Sequence, residues 1–226
     1  MSKNIVFASI STFASPISNP RIVRKSSLTH IFDIFLVLLA SPSFLLVIPI
    51  IAILILLESK GGIFYSQARI GRGGHKFKAY KFRTMVQNAD QLLQSYLDKS
   101  TDLRAEWLEN HKLKEDPRIT RVGAFLRKSS LDELPQLWNI LIGDMSLIGP
   151  RPIVDAEIEK YGECFELYKQ VRPGLTGYWQ VSGRCNTSYQ YRVELDRFYL
   201  LNWSWKLDFQ ILLKTVSAVL RKTGAY

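Results

Sequence analysis

The stretch "DIFLVLLASPSFLLVIPIIAILILLES", residues 33–59, decides what kind of fold this chain can have. From Ile34 to Leu57 no residue carries a charge. Drawn as one straight helix, that run reaches roughly 36 Å at about 1.5 Å per residue, enough to cross a hydrocarbon core of about 30 Å. A kinked spanning helix is therefore the first reading. Two prolines pull against it. Ser41-Pro42 falls near the middle and Pro49 follows; each ring removes a backbone donor and crowds the preceding turn, which favours a sharp bend. A bend at Ser41-Pro42 leaves arms of about 22 Å over 27–41 and 43–57, each too short to cross.

The flanks give a second test, because basic residues beside a membrane segment tend to stay on the cytoplasmic side. Lys3, Arg21, Arg24 and Lys25 precede the segment with no acid through His30, and Lys60, Arg69, Arg72, Lys76, Lys78, Lys81 and Arg83 follow it. A spanning helix strands one basic flank outside. A re-entrant hairpin, dipping into one leaflet and returning, keeps both inside and is preferred. The first 30 residues do not read as a signal peptide, since the apolar residues after Lys3 are interrupted by Ser, Thr and Pro. The expected order is a basic tail over 1–27, a re-entrant membrane helix over 28–58 and a cytosolic domain over 59–226.

The rest of the composition limits the domain's partners. A chain of 226 residues with 47% hydrophobic content can bury a proper core. Thirty Lys and Arg against twenty Asp and Glu, a net charge of +10, call for an anionic partner: nucleic acid, acidic lipid or a phosphorylated substrate. Cys164 and Cys185 have neither disulfide-framework nor zinc spacing and read as reduced thiols. "FYSQARIGRGGHKFKAYKFRTM", residues 64–85, alternates like two strands around a turn at Gly71, Gly73 and Gly74. Its basic residues change parity between Lys78 and Lys81. A bulge near Ala79-Tyr80 brings them to one side; without it the two pairs face opposite ways. Residues 88–113 suggest a pair of surface helices broken near Lys99-Ser100. The expected class is α+β, mostly helical, with short strands.

"RKSSLDELPQLWN", residues 127–139, then sets two carboxylates side by side in a basic chain. One reading is structural: Ser130-x-x-Glu133 fits a capping box, and acids in a first turn suit the helix dipole. Pro135 lies two residues on, so the helix begins late or bends there. On either reading the acids stand at a helix N-terminus, whose backbone field favours the ionised form. Adjacent helical residues point about 100° apart, so Asp132 and Glu133 cannot play the same role towards one atom. The chemical reading divides the labour: one carboxylate attacks and the other holds a cation. That suits phosphoryl transfer, where a carboxylate can form an acyl phosphate and Mg²⁺ is held by one or two carboxylates plus substrate phosphates. Candidate cationic partners are Lys81, Arg83, Arg127, Arg151, Arg172 and Arg184; the prolines after Arg151 and Arg172 restrict the backbone there.

These runs, "YKFRTM", "DPRITRVGAFLRKSSLDELPQLWNILIGDMSLIGPRP", "VRPGLTGYWQVSGR" and "ELDRFYLLNWS", together resemble the bacterial sugar transferases, the monotopic phosphoglycosyl transferase family. The resemblance covers residue 28 or so to the C-terminus. "LKEDPRIT", "TGYWQVSGR" and "KTVSAVLRKTGAY" are most similar to the undecaprenyl-phosphate galactose phosphotransferases, which initiate O-antigen or exopolysaccharide synthesis. The resemblance implies that Asp132 is the nucleophile: it attacks the β-phosphate of a UDP-sugar, expels UMP and holds the phosphosugar until polyprenyl phosphate takes it. It implies that Glu133 binds Mg²⁺, that Lys81, Arg127 and Asp196 line the site, and that Arg151 belongs to an Arg-Pro motif there. Ser41-Pro42 matches the family's re-entrant break. The implied location is the cytoplasmic face of a bacterial inner membrane, with the extra transmembrane helices of longer members not expected.

Cys185 stands where relatives commonly carry Asn, which bears on nucleotide or sugar specificity. "FYLLNWSWKLDFQILLKTVSAVLRK", residues 198–222, reads either as a core helix with an aromatic corner or as a helix in the membrane interface against anionic lipids. A membrane-anchored nucleic-acid binder is disfavoured because no such motif is present. A non-catalytic assembly protein would use Glu133 only as a cap. A D-x-D transferase is disfavoured because the sequence contains no D-x-D. The hexose and the oligomeric state, a homo-oligomer included, are not fixed by the sequence.

Overall fold

The computed structural model describes residues 27–110, 113, 116–182 and 188–220. The basic tail expected before residue 27, together with Arg184 and Cys185, lies outside the described residues. The apolar stretch forms one long helix, α1 (Ser27–Glu58), which contains both Pro42 and Pro49. Pro42 leaves the Leu38 carbonyl without its usual N–H donor, and the Ser41 hydroxyl donates to that same carbonyl at 2.8 Å. The Ser-Pro pair thus carries its own repair for the broken ladder.

One face of α1 rests on the rest of the chain along most of its length. Val37 packs with Ile140 and Met145, while Ile51 and Ile55 pack with Phe82 and Leu126. Polar contacts fix both ends. Near the start, the Ser146 hydroxyl donates to buried Asp33 at 2.6 Å. At the finish, Glu58 accepts the backbone N–H groups of Arg121 and Val122 at 2.7 and 2.9 Å. Those are the free donors that open α4 (Arg121–Ser129), so the membrane-type helix and α4 satisfy each other. The other faces of α1 expose Leu38, Leu39, Leu45, Leu46, Ile50, Ile53 and Leu57, a surface suited to lipid. A mostly exposed apolar helix of this length supports membrane association.

The hairpin expected from residues 64–85 forms as β1 (Phe64–Ile70) and β2 (Lys76–Phe82), antiparallel, with Gly73 and Gly74 at positive φ in the turn. The register runs unbroken through Gln67–Ala79 and Ser66–Tyr80, so there is no bulge. The basic pairs therefore face opposite ways: Lys76 meets Asp155, and Lys81 meets Glu133. Next come α2 (Ala89–Lys99) and α3 (Thr101–Asn110), separated at Ser100, the surface pair read from the sequence.

After α4, a short 3-10 turn (Leu131–Glu133) leads to α5 (Gln136–Ile142) with Pro135 at its N-cap. The helix does begin late. No capping box forms, because Ser130 is left-handed (φ 58°) and its side chain caps nothing. α5 packs on α1 on one side and on β2 on the other. Asn139, fully buried, joins α5 to β2: its amide donates to the Lys78 carbonyl at 2.8 Å and its oxygen accepts the Tyr80 N–H at 3.1 Å. Those backbone groups lie on the edge of β2 away from β1, which would otherwise be unpaired.

β3 (Ser146–Ile148) pairs in parallel with β4 (Gly174–Thr176). The helices that follow, α6 (Ile158–Tyr161), α7 (Cys164–Tyr168), α8 (Tyr178–Ser182), α9 (Tyr189–Asn202) and α10 (Trp205–Leu220), enclose the main core. Tyr161, Leu167, Tyr168, Tyr199, Leu200 and Ile211 lie at its centre.

Candidate active site

The acid pair sits where three elements meet: the end of β2, the end of α4 and the turn before α5. Lys81, on β2, reaches across to the turn. Its ammonium lies 2.6 Å from a Glu133 oxygen and 3.6 Å from an Asp132 oxygen. Arg127, in the last turn of α4, supplies a second cation near Asp132 and is steadied by donating from Nε to the Thr84 hydroxyl at 2.9 Å. α4 can lie this close to Thr84 because residue 123 is glycine; a Cβ there would overlap the Thr84 carbonyl.

The two carboxylates occupy different environments. Asp132 is buried, its side chain 12% exposed, whereas the Glu133 side chain is 36% exposed. Burial pushes the Asp132 carboxyl above its ordinary range, partly opposed by the Lys81 charge; neighbouring Glu133 adds to the rise and Arg127 opposes it. The expectation that a helix-terminal field governs this acid gives way to loss of solvent as the larger effect. A desolvated, more basic carboxylate facing two cations is a better nucleophile than a surface acid. Glu133 keeps an open side, as a cation-holding group requires.

Directly after Glu133 the chain enters an apolar cleft of about 460 Å³ between α5 and the middle of α1. Leu134, Pro135 and Trp138 form one wall, and Val37, Ser41, Phe44 and Leu45 the other. Trp138 is 58% exposed at its mouth. Ser41, beside Pro42 in the continuous helix α1, thus borders the cleft that adjoins the acid pair.

The remaining sequence candidates disperse. Arg83 donates both terminal nitrogens to the carbonyls of Ser59 and Lys60 and so holds the end of α1. Arg172 donates to the Gly143 carbonyl at 2.6 Å, at the opposite end of α5 from the acid pair. Arg151 and Asp196 lie together in a second cluster. There Asp196 is sealed from solvent, accepts the Tyr161 hydroxyl at 2.7 Å, and is pushed by burial up to about 7. Among the described residues, then, Lys81, Arg127, Asp132 and Glu133 come together, and Arg83, Arg172 and Asp196 have structural partners. The sequence reading did not single out Thr84 and Asn139, which position this site, or Tyr161, Trp179 and Arg192 around Asp196. An Asn inside the apolar run "LWNILIG" was the one available hint.

The chain is similar to known proteins over most of its length. A family model described as bacterial sugar transferase matches residues 24–222. A UDP-galactose-lipid carrier transferase of Erwinia amylovora is 51% identical over 80% of this chain and 38% of its own length. An undecaprenyl-phosphate galactose phosphotransferase of Salmonella typhimurium is 52% identical over 74% of this chain and 35% of its own. The chain thus spans little more than a third of these two relatives. The exopolysaccharide production protein ExoY of Sinorhizobium fredii, by contrast, is 47% identical over 86% of both chains. With the family model covering nearly the whole described region and the acid pair set between cations and an apolar cleft, the chain belongs to the bacterial sugar transferase family.

Proposed function

We propose that this chain moves a hexose 1-phosphate, galactose 1-phosphate in the first instance, from a UDP-sugar to undecaprenyl phosphate and releases UMP. In the first half-reaction an Asp132 oxygen attacks the β-phosphorus of the donor; the bond from that phosphorus to the bridging oxygen breaks, and UMP leaves with the electron pair. In the second, an oxygen of the lipid phosphate attacks the same phosphorus and frees Asp132. The product is a diphosphate-linked lipid sugar, as the first membrane step of O-antigen or exopolysaccharide synthesis requires. The observation that carries this reading is the desolvated Asp132 beside Lys81 and Arg127 at the head of an apolar cleft.

The residues fit a magnesium ion. Among the described residues no cluster of three or more His, Cys, Asp or Glu could cage a metal, but Mg²⁺ typically takes one or two carboxylates and completes its shell with substrate phosphates and water. Glu133, whose outer oxygen now meets the Lys81 ammonium, would hold it. When bound, the ion neutralises charge on the diphosphate. Lys81 and Arg127 face the same phosphate oxygens, and burial of Asp132 keeps water from competing with the lipid acceptor.

The cleft between α1 and α5 suits the first isoprene units of the lipid, because its lining is almost wholly apolar. Both ends of α1 return to the catalytic domain, which supports the re-entrant topology on the cytoplasmic face. α10 extends the lipid-facing surface: Trp205, Phe209, Leu213 and Val216 form an exposed stripe, and Trp205 meets Phe32 of α1 edge-on at 5.6 Å. Anionic lipids complete the set of partners.

Isotope exchange tests the chemistry. With lipid omitted, labelled UMP should exchange into UDP-galactose in the presence of Mg²⁺, since the first half-reaction runs alone. Product formation from added lipid without any such exchange would point to direct transfer instead. Cysteines introduced at Lys25 and Lys60, flanking α1, should both resist an impermeant thiol reagent in spheroplasts and both react after lysis. Labelling of one from outside would establish a spanning helix.

A further inference from the structure

Trp138 is a large side chain that the fold fixes in place and then leaves uncovered. It is 58% exposed, yet its neighbour Asn139 is clamped to β2 by hydrogen bonds at 2.8 and 3.1 Å, so the helix beneath the indole cannot turn. An aromatic ring held this way forfeits the benefit of burial unless something else lies on it. Across from it, Phe44 and Leu45 of α1 do not close the gap, which stays about 460 Å³.

The position and length of the cleft indicate what covers the indole. Its lining includes Leu134 and Pro135, the residues directly after Glu133, so one end lies at the acid pair. Along α1 it is lined from Val37 to Ile48, about 16 Å at 1.5 Å per residue. The Ser41 hydroxyl on that wall is taken by the Leu38 carbonyl at 2.8 Å, so the helix offers hydrocarbon there. Among the described residues no charged side chain lines the cleft. A phosphate, a nucleotide or a sugar finds nothing to bind in it; an apolar chain attached to a phosphate at the acid pair does. An isoprene unit has about a third more chain bonds than a residue and extends roughly 4–5 Å, so the cleft takes on the order of three or four units.

We propose that this cleft is the acceptor-selecting site: it holds the isoprene units nearest the lipid phosphate, reads only those units, and uses Trp138 and Phe44 as its specificity-determining residues. The inference rests on the phosphoglycosyl-transfer reading and adds a limit to it: chain beyond the cleft stays in the bilayer and contributes nothing to recognition. Recognition of the donor is separate, since in a two-step reaction the lipid reacts after UMP has left. A wall fixed before the lipid arrives orders a flexible chain without having to be ordered itself.

The test uses the full chain in lipid nanodiscs and a series of cis-prenyl phosphates of increasing length, with KM for each acceptor expressed as its mole fraction in the bilayer. kcat/KM should climb with each added unit up to about three or four and then level off. Trp138→Ala and Phe44→Ala should each raise KM for undecaprenyl phosphate by about tenfold, the scale of an apolar group lost from a pocket, with Trp138→Phe losing less. The loss should fall on the second half-reaction; exchange of UMP into the UDP-sugar, which needs no acceptor, reports whether a variant is folded. Leu45→Trp, at a position 68% exposed and so able to take bulk, fills the cleft and should raise the same KM. If truncating Trp138 or Phe44 disturbs folding, Leu45→Trp decides alone. Folded Trp138→Ala and Leu45→Trp proteins with wild-type KM for undecaprenyl phosphate would overturn the proposal. Equal kcat/KM for the shortest and longest acceptors would overturn it as well, leaving ordinary bilayer lipid as the occupant, and so would a kcat/KM that keeps climbing far past the cleft's length. Should the wild type release no UMP from any UDP-sugar, the transfer reading falls. A photoreactive prenyl phosphate that crosslinks to the cleft, is displaced by undecaprenyl phosphate and is blocked by Leu45→Trp would then leave the site standing.

Discussion

Asp132 and Asp196 are both withdrawn from water, 8% and 0% exposed, and in both burial raises the carboxyl above its usual range. What stands opposite them differs. Asp132 faces the ammonium of Lys81 at 3.6 Å and adjoins an open apolar cleft. Asp196 accepts the Tyr161 hydroxyl at 2.7 Å and has Arg151 and Arg192 nearby, but it is sealed inside packed side chains. Both acids have cations nearby, Lys81 and Arg127 for one and Arg151 and Arg192 for the other, so what sets Asp132 apart is an open approach, which a nucleophile requires. The contrast also separates two costs. On the proposed two-step reading Asp132 gives up stability for reactivity, whereas Asp196 holds α9, α6 and the Arg151 backbone together.

The largest expected effect breaks the first half of that contrast. Asp132→Asn should lower UMP release by on the order of 10³-fold or more, as loss of a covalent nucleophile does. Its thermal midpoint should stay the same or rise, because an acid whose ionised form is disfavoured by burial is removed. Next, Lys81→Met should cost about 10²-fold and change the pH profile. Lys81 favours the ionised form of Asp132, so its loss raises that carboxyl further and moves the acid limb of the rate profile to higher pH. A profile that only drops in height would show that Lys81 does not tune Asp132.

Asp196 sharpens the other half. Asp196→Ala should lower stability by about 1–3 kcal/mol, since the buried Tyr161 hydroxyl loses its acceptor. Its titration has a definite sign. With the folded carboxyl pushed up to about 7 and the unfolded one near 3.8, the folded state holds a proton that the unfolded state has lost between those values. Stability should therefore fall as pH rises through that window, and Asp196→Asn should remove this contribution to the slope in denaturant titrations. The smallest effect belongs to α1. Ser41→Ala leaves the Leu38 carbonyl without its donor and should cost about 1 kcal/mol or less.

The long apolar helix, the β-hairpin and the split surface helices are all readable from local pattern, because each depends on periodicity or on glycine chemistry near in sequence; the sharp bend expected at Ser41-Pro42 does not interrupt α1, where the Ser41 hydroxyl takes up the freed Leu38 carbonyl. The acid pair and its Lys81 and Arg127 partners emerge from motif resemblance, and the fold does assemble them. The arginines are less legible. Arg83 and Arg172 carry the same charge as Arg127, but their fate depends on which carbonyls the folded chain brings near, Lys60 and Ser59 for one and Gly143 for the other. Asp132 also shows a limit of helix-end reasoning. Its position in the chain suggests a stabilising backbone field, yet tertiary burial sets the direction of its shift. Asn139 and the cluster around Asp196 depend on contacts between residues far apart in sequence, for which no local signal exists.

The most direct measurement is mass spectrometry of the protein incubated with UDP-galactose and Mg²⁺ in the absence of lipid. The peptide containing Asp132 should gain the mass of one hexosyl phosphate, lose it when undecaprenyl phosphate is added, and never gain it in Asp132→Asn. An unmodified peptide under conditions where added lipid is converted to product, or the adduct on another residue, would contradict the account.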